Sequence, residues 1–226
     1  MGYTRPVTLP AAPTKPPQKP KFPRGGFREL APSELEDESS YRGRALEGLA
    51  AVPRRLESVA FEGCVFREVD FSGVVWTRVR CADVRFEQCN FTGAVWREVS
   101  LDRVEFVGDQ LLGLQAPEVR LRHVRFSRVR ALLSLWFQAD AKQVWVEDSD
   151  FSEAMFREAR LPGVVFRACR LAKADFTEAD LSEADLRGSE LNAVRLTLRE
   201  LAGVTVTAVQ LLDLAHLLNV RIAELP

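Results

Sequence analysis

Histidine is scarce in this chain, with only two among 226 residues, and none of its four cysteines forms a CxxC pair. Zinc sites and serine-based catalytic triads draw on such residues, so we expect no metal, no cofactor and no hydrolytic centre. Long apolar runs are also missing, since none approaches the roughly 20 residues of a bilayer span. The first 24 residues lack the apolar core of a secretion signal. We therefore expect a cytoplasmic protein with no membrane partner.

Neither sign of charge dominates, because 31 Lys and Arg residues are balanced by 32 Asp and Glu residues. Such a balance does not predict a general polyanion-binding surface. The exception is segment 1–28, which has seven prolines, six basic residues and no acid. We expect a disordered, extended arm there, and direct nucleic-acid binding only through this arm. A solubilising tail is the simpler alternative.

From residue 56 to residue 196, every fifth residue is apolar, and this register holds eleven of the 14 phenylalanines. A second register, two residues earlier, holds mainly Val, Ala and Cys. In an α-helix such positions would spread around the cylinder, and in a flat strand they would alternate between faces. A period of five therefore predicts a chain that turns a corner every five residues and keeps both registers inside a coil.

Residue size repeats at a longer interval of twenty residues. One series at this interval reads Phe66, Phe86, Phe106, Phe126, Val146, Phe166. Stacking of like on like implies four sides per coil, with successive coils about 4.8 Å apart. Residues 56–206 then form about seven coils and a rod about 34 Å long. The pattern frays at 107–120 and 131–138 without a shift of frame, so we expect a distorted face there instead of a long loop.

Three segments repeat a unit of the form A(D/N)LXX: Ala174-Asp175-Phe176, Ala179-Asp180-Leu181 and Ala184-Asp185-Leu186. The chain thus resembles the pentapeptide-repeat proteins over residues 56 to about 200. The resemblance implies an all-β solenoid, specifically a right-handed quadrilateral β-helix. The N-terminal half departs from the family by using Val in the small register, which predicts wider corners there.

Both ends of such a coil need a cap. Within residues 29–55, the spacing of Ser33 and Glu36 predicts a capping-box helix over 33–50. Within residues 207–226, Thr207 and Gln210 predict another helix running to about residue 218, before a short strand at 220–222. This tail resembles the dimerising end of the gyrase-protecting family members, and a monomer with an apolar cap is the alternative. The expected homodimer interface is Leu211, Leu212, Leu214, Ala215 and Leu218.

The cysteines fall on the inward registers, Cys64, Cys89 and Cys169 on the small one and Cys81 on the large one. They are expected to be buried thiols that pack as small apolar residues. Cys89 and Cys169 share a column but lie four coils apart, about 19 Å, which is too far for a disulfide.

Packing uses the inward residues, so function must reside on outward ones. An exposed apolar stripe usually marks a contact surface. The alternative is that residues 30–52 fold back over the stripe through Tyr41, Leu46 and Leu49. The stripe, with Trp145 assigned to the adjoining side, comprises Val75, Val95, Leu135, Phe137 and Met155.

Charge is uneven along the rod, because residues 136–226 carry ten basic and fifteen acidic side chains. By the resemblance, acids near the dimer end imply a partial DNA mimic that binds DNA gyrase or topoisomerase IV and protects it from topoisomerase poisons. Five arginines between 120 and 130 would interrupt a continuous mimic. The candidate acidic band comprises Asp175, Glu178, Asp180, Glu183, Asp185 and Glu190.

Two other classes of function compete with this interpretation. A structural or adaptor module would bind some other protein through the apolar stripe. An enzyme is not expected, because the outward residues offer no nucleophile paired with a base and a rod has no cleft.

Overall fold

The computed structural model describes residues 15–48 and 52–218. There the chain is a parallel β-solenoid in which each residue pairs with the one twenty positions along, as in Phe86 with Phe106 and Phe106 with Phe126. The coil expected from the period of five and the all-β solenoid implied by the family resemblance are both confirmed. None of the described helices is long and apolar enough to cross a membrane.

The regular elements of the described residues are short. The strands are β1 (Arg28–Glu29), β2 (Ser40–Arg42), β3 (Arg44–Glu47), β4 (Arg55–Glu57), β5 (Ala60–Glu62), β6 (Val65–Arg67), β7 (Val75–Thr77), β8 (Arg80–Glu87), β9 (Val95–Arg97), β10 (Ser100–Val107), β11 (Arg120–Ser127), β12 (Asp140–Lys142), β13 (Trp145–Glu147) and β14 (Val165–Arg167). The α-helix α1 spans Ala208–Asp213, and two 3-10 helices span Pro32–Glu34 and Ala215–Leu218. The main sheet runs β1-β3-β6-β8-β10-β11-β13-β14, and β4, β7 and β9 form a smaller sheet.

Aromatic side chains stack along the inside of the coil. Ring centroids in the column Phe66, Phe86, Phe106, Phe126 are 5.1, 5.0 and 4.9 Å apart. The distance between ring centroids is close to the spacing of successive coils, so each ring stacks on the ring of the preceding coil. Such aromatic pairs contribute about 0.5–1.5 kcal/mol each beyond the area they bury.

The frayed segments continue the coil. Gln110 pairs with Asn90 and Arg130, and Gln115 pairs with Val95 and Leu135. Residues 107–120 and 131–138 therefore contain no loop, as expected.

The helix predicted over residues 33–50 is wrong. Residues 40–47 form β2 and β3, in which Tyr41 pairs with Phe61 and Leu46 pairs with Phe66. Residues 41 and 46 lie on the same five-residue register as residue 56, and burial on that register outweighs the local helix signal. The fold-back over the apolar stripe is wrong for the same reason, since Tyr41 and Leu46 are core residues; residue 49 lies outside the described residues.

The mobile arm predicted for residues 1–28 is wrong for residues 15–28, which lie along one corner of the solenoid. Residues 1–14 lie outside the described residues. A Cβ at Gly43, whose φ is +62°, would come within 3.3 Å of Pro23, so glycine leaves room for the arm. Further along the same corner column, the Lys21 N–H donates to Asp83 Oδ1 at 2.9 Å and the Gln18 N–H donates to His123 Nδ1 at 3.4 Å.

Asp83 is the anchor of this arm. Burial raises the pKa of its carboxyl group, but the Arg103 guanidinium and the Lys21 N–H hold that pKa below its usual value. Arg103 contacts both oxygens of Asp83, at 2.6 and 2.8 Å. The carboxylate is thus fixed as an acceptor for the arm, and the prolines of the arm limit the entropy lost on docking.

Candidate partner-binding surfaces

The aspartates of the candidate acidic band are part of the backbone turns. Asp175, Asp180 and Asp185 occupy equivalent positions on successive sides, and the Oδ1 atom of each accepts a hydrogen bond from the N–H two residues later, at 3.0, 3.0 and 3.1 Å. Short side chains of this kind stabilise turns by such bonds. The side chains of Asp175 and Asp185 are each only 14% exposed.

Arginines also neutralise part of this band. Arg187 lies 2.7 Å from Asp185, and Arg195 lies 4.0 Å from Asp175. Burial raises the pKa of Asp185, but hydrogen bonds from the Arg187 side chain and backbone keep that pKa below its usual value. These two carboxylates therefore offer a partner little free charge.

The three glutamates of the band are exposed. Glu178 and Glu183 sit at successive corners with φ of 61° and 59°, and Glu190 lies on the next side. Five-residue steps move around the coil, so the six acids form a ring around one coil instead of a patch on one side. A partner that approaches from one direction meets part of this ring.

The apolar stripe is brought together on one side. Val75, Val95, Leu135 and Met155 form one column, interrupted by Gln115. Phe137 lies on the same side, two residues after Leu135, and is half-buried.

Trp145 does not adjoin this stripe, because ten residues separate it from Leu135 and ten residues are half of a coil. The assignment to the adjoining side is therefore wrong, and the indole lies on the opposite side. It is half-buried there between the guanidinium groups of Arg125 and Arg167, 5.6 and 5.4 Å from the ring centroid.

Sequence reasoning missed the corner beside the stripe, where Leu112 is 41% exposed and Leu133 is 60% exposed. The sequence signal that could have revealed this corner is the run of apolar outward residues around the inward residues Ser134 and Trp136. We call the enlarged surface the apolar patch: Leu112, Leu132, Leu133, Leu135, Phe137 and Met155.

The C-terminal helix α1 begins at the predicted capping box but ends at Asp213, and a 3-10 helix follows at Ala215–Leu218, so the single helix predicted to run to about residue 218 is wrong. The Thr207 hydroxyl accepts from the Gln210 N–H at 3.3 Å, and Gln210 Oε1 accepts from the Thr207 N–H at 2.8 Å. Gln210 is buried, and its Nε2 donates to the carbonyls of Leu186 and Ser189, both at 2.7 Å. This side chain therefore satisfies carbonyl groups at the end of the coil.

The predicted dimer residues divide into two sets. Leu214 and Ala215 are buried against the solenoid at 2% and 8% exposure. Leu211 and Leu212 are 52% and 59% exposed, and Val209, which the sequence analysis did not include, is 72% exposed. The side chain of residue 218 and the strand expected at 220–222 lie outside the described residues.

The inward polar residues have structural tasks. Asp109, Ser149 and Ser189 accept from the backbone N–H groups of the residues twenty positions earlier, at 2.6, 2.9 and 3.1 Å. Burial raises the pKa of Asp109 to about 8, and its Oδ2 atom has no hydrogen-bond partner among the described residues. This carboxyl group is therefore largely protonated at neutral pH.

The four cysteines are buried and free, as expected. Burial raises the pKa of Cys89 to about 12 and that of Cys169 to about 11, so neither is a ready nucleophile. Within the described ranges, no three His, Cys, Asp or Glu residues gather in a way that could hold a metal ion.

Comparison with known proteins gives one family. The model described as pentapeptide repeats matches residues 80–108, 149–188 and 163–197, with eight copies. No curated protein sequence matches the chain significantly.

Several solved structures are similar to this chain. A trypsin-treated variant of QnrB1, a plasmid-mediated fluoroquinolone resistance protein, is 19% identical over 82% of this chain and 100% of its own, with a TM-score of 0.45. HetL, a pentapeptide repeat protein involved in heterocyst differentiation regulation in the cyanobacterium Nostoc sp. strain PCC 7120, is 17% identical over 74% of this chain and 86% of its own, with a TM-score of 0.22. The pentapeptide repeat protein Rfr23 from the cyanobacterium Cyanothece 51142 is 19% identical over 46% of this chain and 88% of its own, with a TM-score of 0.24.

Proposed function

Since this chain belongs to the pentapeptide-repeat family, we propose that it is a non-enzymatic protein that binds a type II topoisomerase, DNA gyrase or topoisomerase IV, and protects it from topoisomerase poisons. The observation that supports this proposal is the C-terminal end of the rod. There the apolar side chains of Val209, Leu211 and Leu212 are more than half exposed, next to a coil that carries exposed glutamates.

A symmetric dimer would bury these apolar side chains. Isologous contact of two α1 helices covers the same surface on both copies, and burial of apolar area contributes roughly 25 cal/mol per Å². Two rods joined in this way would place two acidic coils at the centre. The charge offered to a partner would come mainly from Glu178, Glu183, Glu190 and the exposed Asp180, because Asp175 and Asp185 are mostly buried and lie beside arginines.

A gyrase supercoiling assay over a protein titration, with and without a fluoroquinolone, tests the proposal. We expect either inhibition of supercoiling by the protein alone or rescue from the drug. A titration that changes supercoiling in neither condition would overturn the topoisomerase proposal.

Two sets of variants separate the charge from the dimer. The triple change of Glu178, Glu183 and Glu190 to Gln should weaken the gyrase effect, whereas the same change at Glu36, Glu38 and Glu68, which are exposed at the other end, should not.

The dimer is tested by a second set of variants. Leu211→Glu with Leu212→Glu should give a monomer in sedimentation velocity. Leu198→Glu, at a leucine that is 53% exposed outside α1, should leave the oligomeric state unchanged.

The apolar patch favours a second candidate, an adaptor that binds another protein. Leu112, Leu133 and Met155 are 41%, 60% and 48% exposed on neighbouring coils, and such patches mark contact surfaces. Changing Leu133, Leu135 and Met155 to Gln would then remove partner binding in a pull-down and leave supercoiling unaffected. If the same variant loses its effect on gyrase, the patch belongs to the topoisomerase interface.

A further inference from the structure

A concave surface of about 350 Å³ lies on one side of the N-terminal coils. Its walls include Arg80, Arg97, Arg120 and Ser100, with Glu98 and Glu118 at neighbouring corners. None of these residues belongs to the acidic band, the apolar patch or α1. The site is therefore independent of the proposed function.

The ladder places one arginine on each side of a serine. Ser100 pairs with Arg80 on one neighbouring coil and with Arg120 on the other. With coils about 4.8 Å apart, the Cα atoms of the two arginines are about 9.6 Å apart. Arg97, the last residue of β9, reaches the same surface from the preceding side. Three arginine side chains and one hydroxyl-bearing side chain therefore line the same surface.

Among the described residues, the absence of ion pairs distinguishes these three arginines from other arginines in the ladder. Arg67 contacts both Glu47 and Glu87, each twenty residues away. Across residues 15–48 and 52–218, no carboxylate oxygen lies within 4.0 Å of a side-chain nitrogen of Arg80, Arg97 or Arg120. Because none of the three arginines forms a direct ion pair there, an entering anion can contact their guanidinium groups without displacing a carboxylate from them.

The geometry points to a binding site for one phosphoryl group. Guanidinium groups offer paired N–H donors that match phosphate oxygens, and the Ser100 hydroxyl supplies a further donor. Arg78 also lines the surface but contacts Glu57. Three unpaired arginines and two glutamates leave the site with a net charge of only +1. That charge suits a single phosphoryl group and disfavours a polyanion such as nucleic acid.

Free phosphate and the phosphate of a small monoester share this chemistry. Inorganic phosphate and ribose 5-phosphate are therefore the two probes, each titrated into the full chain at constant low ionic strength. Calorimetry reports affinity, and the NMR signals of the arginine Nε–H groups report location. We expect saturable one-to-one binding of at least one probe, with shifts at Arg80, Arg97 and Arg120. Binding of ribose 5-phosphate alone would identify the monoester as the ligand type.

Matched arginine variants test the assignment. Arg97→Gln and Arg120→Gln should each weaken binding about tenfold, the usual effect of removing one charged hydrogen-bond donor. Arg157→Gln removes an exposed arginine of the same column as Arg97, three coils away, and should leave binding unchanged. Heats that do not saturate for either probe, or an equal loss in Arg157→Gln, would overturn the site.

Discussion

The coils before about residue 140 and those after it are built differently. In the earlier coils, β8, β10 and β11 are eight-residue strands that continue through a corner. In the later coils the main sheet narrows to the three-residue strands β13 and β14, and other pairing there is by single bridges such as Asp150 with Arg170 and Asp175 with Arg195. Beyond β14, the described coils are a stack of tight turns.

Side-chain volume explains the difference. The small register of β8, β10 and β11 holds Val84, Val104 and Val124, and β-branched residues favour extended backbone. After β14 this register holds Ala174, Ala179 and Ala184, each directly before an Asp whose carboxylate accepts a turn hydrogen bond. The same solenoid can therefore be built from extended strands or from tight turns, depending on the volume of the inward side chains.

The junction between the two regions is imperfectly filled. Ala141 stands in a column of leucines and Val146 in a column of phenylalanines, and a cavity of about 20 Å³ lies beside them. Its lining is apolar throughout, so it is expected to stay dry.

The largest effect is expected from the aromatic ladder of the earlier coils. Phe106→Ala removes a ring stacked 5.0 Å from Phe86 and 4.9 Å from Phe126, and should lower the free energy of unfolding by about 3–5 kcal/mol. Leu186→Ala in the later coils should cost about 2–3 kcal/mol. Urea unfolding measures both; equal losses would show that the two cores are equivalent.

The next effect concerns pH and a group found only in the earlier coils. The folded pKa of Asp109, about 8, lies above its ordinary value, so the folded state holds the proton more tightly. Its contribution to stability is complete below about pH 4 and is lost as the pH rises from there through about 8. Asp109→Asn, which keeps the acceptor for the Cys89 N–H, should flatten the unfolding free energy between pH 5 and 9 relative to wild type. The same slope in both proteins would contradict this assignment.

A third test removes a buried hydroxyl group near the junction and adds one at the equivalent position in the earlier coils. The Trp136 indole N–H donates to Ser134 at 2.7 Å, whereas the Trp96 indole N–H, with Ala94 at the matching position, has no partner among the described residues. Ser134→Ala should cost about 1–3 kcal/mol by leaving a buried donor unpaired. Ala94→Ser should stabilise by about 1 kcal/mol, measured by thermal unfolding. A loss in both variants would mean that the hydroxyl does not fit beneath the indole at residue 96.

The docked arm contacts the earlier coils, which provides a fourth test. Asp83→Ala removes the acceptor of the Lys21 N–H and should speed tryptic cleavage after Lys21 about tenfold. Asp102→Ala removes another contact of Arg103 and leaves the arm anchored, so it is the control. Equal cleavage of both variants would argue against anchoring through Asp83.

The smallest effect is expected from filling the junction. Ala141→Val should raise stability by about 0.5–1 kcal/mol, because the cavity of about 20 Å³ accepts added methyl groups. Ala184→Val, at a fully buried site in the later coils, should instead cost about 1–3 kcal/mol through overpacking. Melting temperatures that shift in the same direction would refute the difference in packing.

The N-terminal boundary shows where local signals mislead. The capping-box spacing of Ser33 and Glu36 is a property of four residues, whereas the register that includes Tyr41 and Leu46 is a property of the whole coil. Burial in the coil prevailed, and the register itself was visible in the sequence. The docking of the arm was harder to predict from the sequence, because Gly43, Asp83 and His123 come to lie at one corner only after four coils have formed.

The charged surface shows a second limit. Counting acids identified the coil that contains Asp175, Asp185 and Glu190, but the count did not separate turn acceptors from free carboxylates. An Asp followed two residues later by Ser or Thr was the available signal for the turns. The position of Trp145 needed only the twenty-residue period, since ten residues reach the opposite side.

The sequence by itself determined which residues point inward, because a five-residue period recurs at every step and each unit reports it independently. It also determined the four-sided coil, since like residues return after twenty positions. Only the tertiary structure decided which outward residues share a side, which carboxylates are already bonded and where the N-terminal arm lies. Those properties depend on contacts between coils and on individual side-chain positions, which no short stretch of chain encodes.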